Sequence, residues 1–310
     1  MSATTAGTSA GTTTGITVAR RRGPSGWLRD PWRKPRFLQA LTLGYLAWSI
    51  LPVLIAILLS FNAGRSNSSL QTLGLRWWID DPDQQALFQD PVLRRAILQT
   101  YLLSFITMLL AVPLGVSFAI GLDRWRGRLA STANFGMILT FVLPEIIIGI
   151  AMLSVVTYLF TFIRLGTLAQ VMGLVTFQIS YPVIIVRARL LSIGKEYEEA
   201  GMDLGASPRQ SVRRVLLPLL YPAILASFAI VFADTVDDFV TVTYLSGPAD
   251  SQPLSTFIYV TARASATPAV NAAATLMLVS TTLVITLGYL AFKRLTRGQE
   301  GGDVTSFSQL

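Results

Sequence analysis

Neither cysteine nor histidine occurs among the 310 residues. Disulfides, thiol nucleophiles, imidazole general bases and the usual zinc sites are therefore excluded by composition. No Gly-x-x-x-x-Gly-Lys-Ser/Thr loop is found either. Gly194-Lys195 lacks the upstream glycine and is followed by Glu196, so nucleotide binding by this chain has no support. Charge is scarce too, at 14% of positions against 52% hydrophobic. Together with a positive mean hydropathy, this is the balance of a membrane protein. The net charge of +8 does not argue for nucleic acid, because Lys and Arg stand in short patches between apolar runs rather than along one groove-facing element.

Six runs meet the requirement of about 20 apolar residues per crossing. They are 38–60, 96–121, 133–162, 167–189, 219–245 and 268–292, which gives an all-α membrane protein with six transmembrane helices. Ahead of them, residues 1–37 pass from a Ser/Thr/Gly-rich tract to a basic segment containing Arg20, Arg21, Arg22, Arg29, Arg33, Lys34 and Arg36. This reads as a disordered basic arm that becomes juxtamembrane, not as a cleaved signal, because the first apolar run starts late and is long enough to span. Basic residues also gather at 121–132, 187–217 and 293–297. Only Arg65, Arg76, Arg94, Arg95, Arg164 and Arg263 fall in the alternate loops. The bias places both termini and the 187–217 loop in the cytoplasm. Trp77, Trp78, Tyr244 and Tyr259 fall near the predicted outer boundaries, where interfacial anchoring is the expected role.

Within the fifth run, VFADTVDDFVTV places Asp234, Asp237 and Asp238 where lipid-compatible residues are expected. An ionised carboxylate at the bilayer centre costs about 2.5–3.5 kcal/mol on insertion scales, so three need compensation. On one helix their i, i+3, i+4 spacing shares a face. Counted from Leu219, Asp234 lies about 22 Å along the helix and Asp238 about 28 Å. A structural alternative therefore stands for the last two: hydration at the outer rim, or pairing with Arg263. The functional alternative is a path for a cation with separated ammonium groups, whose lost hydration fixed acceptors would replace. In the third run, Glu145 follows Pro144 and adds a fourth acid to the same question, either on that path or protonated and bonded to a neighbouring helix.

Residues 195–218, KEYEEAGMDLGASPRQSVRRVLLP, read as two helices. The first is predicted over 195–204 and stops at Gly205. The second starts with Ser207 as N-cap, Pro208 at the first position and Gln210 closing a capping box, and Pro218 is predicted to limit it. So shaped a loop suits docking, although a helix lying on lipid with Arg209, Arg213 and Arg214 at headgroups is the alternative.

This segment resembles the signature loop of integral-membrane permease subunits of ATP-binding-cassette importers: Glu-Ala-Ala, three residues, Gly, nine residues, Ile-x-Leu-Pro. Here it reads Glu199-Ala200-Gly201, Gly205 and Val215-Leu216-Leu217-Pro218, with Gly201 and Val215 as the departures. The resemblance covers about 94–292 and implies a type I importer permease core. It leaves 38–93 as the first span with an extracytoplasmic loop, and 293–310 as a cytoplasmic tail. It also implies that Glu199, Ala200, Gly201, Gly205 and Pro218 belong to a coupling loop that inserts into a separate ATPase.

Residues 236–259 and 142–150 further resemble spermidine/putrescine-type permeases of this family. The resemblance implies a polyamine path lined by Asp234, Asp237, Asp238 and Glu145. It also implies a multi-pass chain of a bacterial inner membrane that catalyses no bond change. The implied partners are a second homologous permease, two ATP-binding subunits that hold ATP and Mg, an extracytoplasmic solute-binding protein and membrane lipid. Two rival readings remain: a permease for another organic cation or amino-acid-like solute, and a proton-coupled carrier or channel, which would not need the loop.

Overall fold

The computed structural model describes residues 36–66, 69–125, 127–247, 251–265 and 268–296. The arm before Arg36 and the tail beyond Thr296 lie outside the described residues. Two units divide after Pro52. The described part of the first is the leading portion of helix α1 (Arg36–Ser60), an apolar helix with Pro52 inside it.

In the second unit, residues 61–66 and 69–90 form loop structure built on Asn62. Its side chain donates to the Ser66 and Ser69 carbonyls and accepts from the Gly64 and Gln71 amides. Trp77 donates from Nε1 to the Gly64 carbonyl and packs on Ala269 and Ala272, with 1% of its surface exposed. It is a core residue, not the interfacial anchor that its position predicts, because the folded loop supplies both an apolar wall and an acceptor.

The remaining helices are α2 (Pro91–Arg124), α3 (Arg128–Val142), α4 (Glu145–Ser154), α5 (Thr167–Gln178), α6 (Ser180–Ile193), α7 (Glu196–Asp203), α8 (Pro208–Ser211), α9 (Leu217–Asp237), α10 (Val240–Leu245), α11 (Leu254–Ser265) and α12 (Pro268–Thr296). Asp90 sets the start of α2 by accepting from the amides of Val92 and Leu93, with Pro91 at the first position. Among the described residues, five helical segments are long and apolar enough to cross a membrane, and the bent pair α3 and α4 makes a sixth if it counts as one crossing.

Two of the predicted crossings are not continuous. The one predicted over 133–162 bends by 110° between α3 and α4. The one predicted over 219–245 stops at Asp237 and resumes as α10. Conversely, Pro218 does not limit a helix. A π-helical turn over Val212–Leu216 carries α8 into α9, and the proline sits in the first turn of α9, where its missing amide costs little.

Helix α9 packs against α2, α6 and α12. Val112, Val183 and Leu220 are fully buried where the first three meet. A Cβ on Gly115 would come within 2.4 Å of the Pro182 ring, so the glycine sets how closely α2 and α6 approach. Lipid is as apolar as these side chains, so close packing and interhelical hydrogen bonds hold the bundle, rather than transfer from water. One such bond runs from the Leu254 amide, at the start of α11, to Thr100 Oγ1 on α2 at 2.7 Å.

Candidate functional site

Three interruptions of helical hydrogen bonding meet around Asp234. At the first, Leu143 is extended (φ −64°, ψ 138°), as the residue before a proline prefers, and α4 restarts with Glu145 as its first residue. A carboxylate there faces the partial positive charge of the helix N-terminus. At the second, Asp238 (φ −56°, ψ 125°) leaves α9, and its Oδ1 accepts the Val242 amide at 3.1 Å, capping α10. At the third, Pro182 offers no amide to the Gln178 carbonyl four residues earlier.

The predicted stripe of three aspartates on one helical face is therefore corrected. Only Asp234 and Asp237 belong to α9, with Asp237 exposed and Asp234 half-buried. Asp238 is turned inward by the break and is 7% exposed. The acids nonetheless fall close together: Phe141, at the end of α3, meets the Tyr181 ring whose hydroxyl donates to Asp234, and α4 packs against α10, whose Val242 amide bonds Asp238. The ion pairs among the described residues are Arg65 with Asp83, Arg76 with Asp81 and Arg124 with Glu198, all outside this cluster. Arg263 does not pair with the aspartates. It stands 4.3 Å over the Tyr259 ring, which in turn lies 4.6 Å from the Phe239 ring. A buried carboxylate without a paired cation, as Asp238 is among the described residues, is chemically suited to receive one.

Sequence reasoning missed the side chains that hold Asp234. Gln178 Nε2 donates to its Oδ2 at 2.7 Å, and Tyr181 Oη donates to its Oδ1 at 3.3 Å. The Tyr181 ring is met edge-on by Phe141 and Phe177 at centroid distances of 5.8 and 6.0 Å. A glutamine inside an apolar run, four residues ahead of a proline, was the available signal. A second glutamine, Gln170, is fully buried. Its Nε2 lies 3.0–3.2 Å from the Val242 and Ser251 carbonyls and Ser246 Oγ, and its Oε1 accepts from Gln99 at 3.0 Å. This network fixes α10, and with it the capping position of Asp238.

At the opposite end of α9, residues 195–218 form the expected hairpin. Helix α7 ends in Gly205 at φ +89°, with the Ala206 amide bonded to the Gly201 carbonyl at 3.1 Å. Ser207 and Gln210 make both bonds of the capping box, at 3.4 and 3.0 Å. Glu198 is paired with Arg124 from the end of α2, and its carbonyl accepts from Ser211, so the hairpin is tied to the bundle. Glu199 and Ala200 are exposed. So are the apolar Tyr197 and Met202, and Leu204 is 90% exposed. An apolar, exposed helix tip on a fixed base is suited to insertion into another protein.

Residues 87–300 match the family described as binding-protein-dependent transport system inner membrane component. The spermidine/putrescine transport system permease protein PotC of Haemophilus influenzae is 28% identical over 249 residues, 80% of this chain and 93% of that protein. The putrescine transport system permease protein PotI of Escherichia coli is 27% identical over 279 residues, 88% and 94% respectively. In fold, a chain of a bacterial transporter involved in the import of the acidic polysaccharide alginate aligns over 84% of this chain and 96% of its own, with a TM-score of 0.67 at 18% identity. A multi-pass set of helices, the hairpin and the match to more than half of the chain agree: this protein belongs to the binding-protein-dependent transport system inner membrane components.

Proposed function

We propose that the chain lines the path of an ATP-driven importer for polyamines, spermidine or putrescine. The observation that carries this reading is the cluster of Glu145, Asp234, Asp237 and Asp238, set where helices break and left without a paired Lys or Arg among the described residues. Breaks supply backbone groups and space at membrane depth, and the acids supply the charge a polyammonium chain requires. The names of the curated relatives support the same substrate class.

In this reading both termini and the 195–218 hairpin are cytoplasmic. Glu199, Ala200, Gly201 and Gly205 dock into a separate ATPase, and Pro218 carries the motion into α9. The complex comprises a second homologous permease, two ATP-binding subunits that hold ATP and Mg, an extracytoplasmic solute-binding protein and surrounding lipid. This chain holds no cofactor of its own. ATP binding closes the ATPase pair and opens the acidic path outward, and hydrolysis resets it.

The test is ATP-dependent uptake of labelled spermidine and putrescine into vesicles carrying the whole complex. Saturable uptake, weakened in Asp234→Asn while assembly and basal ATP hydrolysis persist, is the expected result. A complex that assembles and hydrolyses ATP but imports neither amine rejects the polyamine assignment.

A further inference from the structure

Gln178 is fully buried, and its amide has two ends. Nε2 donates to Asp234, while Oε1 has no hydrogen-bond partner among the described residues. Exchanging the two ends of the amide does not remedy this, because Oε1 would then face the carboxylate and set acceptor against acceptor. The Asp234 contact therefore fixes the orientation and leaves a carbonyl acceptor buried beside a carboxylate. A buried acceptor left unmade is unfavourable, so its retention beside the acids points to a donor that is present only part of the time.

From this geometry we infer that Gln178 determines substrate specificity: its side-chain carbonyl accepts an N–H from an ammonium group held against Asp234. This rests on the polyamine-path reading and names the chemistry it selects. Charge alone attracts any organic cation, including quaternary ammonium, which has no N–H. A carboxylate joined to a fixed carbonyl acceptor favours primary and secondary ammonium, whose N–H groups fill both. Tyr181 completes the set by holding the other oxygen of Asp234, with Phe141 and Phe177 packed edge-on against its ring.

The test uses the assembled complex in proteoliposomes, with labelled putrescine as substrate and its bis-trimethylammonium analogue as competitor. Two variants test the amide. Gln178→Met removes both acceptor and donor at similar volume, whereas Gln178→Glu, which must share a proton with the adjacent Asp234, keeps a carbonyl acceptor and an O–H donor. With Gln178→Met, the KM for putrescine rises about tenfold and the preference for putrescine over the analogue shrinks by a similar factor, as loss of a charge-assisted hydrogen bond requires. Gln178→Glu retains the preference.

A Gln178→Met defect that weakens putrescine and the analogue alike, with the preference unchanged, overturns the inference, since it means the amide serves only to position Asp234. An unchanged KM and preference in both overturns it as well, and polyamine uptake by wild type then leaves the proposed function intact. Wild type that imports no amine removes the proposed function and this inference together. If Gln178→Met fails to assemble, Gln178→Asn, whose shorter amide withdraws the acceptor, decides: a reduced preference supports the acceptor role, and an unchanged preference refutes it.

Discussion

Asp234 and Asp238 are four residues apart and are held in different ways. Asp234 is bonded by two neutral donors, so its charge is oriented but not cancelled. On the proposed reading, removing that charge weakens substrate binding and leaves the helix intact. Asp234→Asn is expected to raise the uptake KM about tenfold or more, with the complex still assembled. Asp238 spends one oxygen on the Val242 amide. Asp238→Ala is therefore expected to lower stability by about 1 kcal/mol, and Asp238→Asn much less, because asparagine caps almost as well. Thermal unfolding in detergent reads the difference. Asp237 is exposed and caps nothing described, so Asp237→Asn should affect uptake more than stability, which makes it the cleaner probe of the path.

The interruptions show why a run of apolar residues is not yet a span. Pro144 bends the third run by 110° and places Glu145 at a helix start. Pro182 and Pro218 stay within helical segments that cross as one, and beside Pro218 a π turn absorbs the mismatch. Local chemistry alone therefore identifies candidate breaks, and packing decides which of them bend. The hairpin was the most legible element: Gly205, Ser207, Pro208 and Gln210 act through neighbours within a few residues. At Gly205, φ of +89° makes any side chain unfavourable, by roughly 1–2 kcal/mol. Gly205→Val is expected to reduce co-purification of the ATPase and transport-stimulated hydrolysis. Gly201→Ala is expected to match wild type in both, since its Cβ would meet Val215 and Ser211 at ordinary contact distances of 3.4 and 3.5 Å.

The absence of cysteine also makes topology directly measurable in the whole molecule. Leu204 and Leu73, 90% and 69% exposed, stand on the hairpin and on the 61–90 loop. Single substitutions Leu204→Cys and Leu73→Cys are expected to react with a membrane-impermeant thiol reagent from opposite sides, Leu204→Cys only after the cytoplasmic face is opened. Labelling of Leu204→Cys from outside, with Leu73→Cys reacting only after the cytoplasmic face is opened, would reverse the assigned orientation. Composition and run length were enough for the membrane class, the helical fold and the hairpin, because hydration cost and capping depend on residue type and short-range spacing. Folding decided the rest. It drew Glu145, Gln178, Tyr181 and Asp234 together from three separate runs, and turned Asp238 from the shared face into a cap. No spacing rule reaches those contacts, because they depend on where helices α4, α5, α6 and α9 cross and on which backbone breaks the packing between them stabilises.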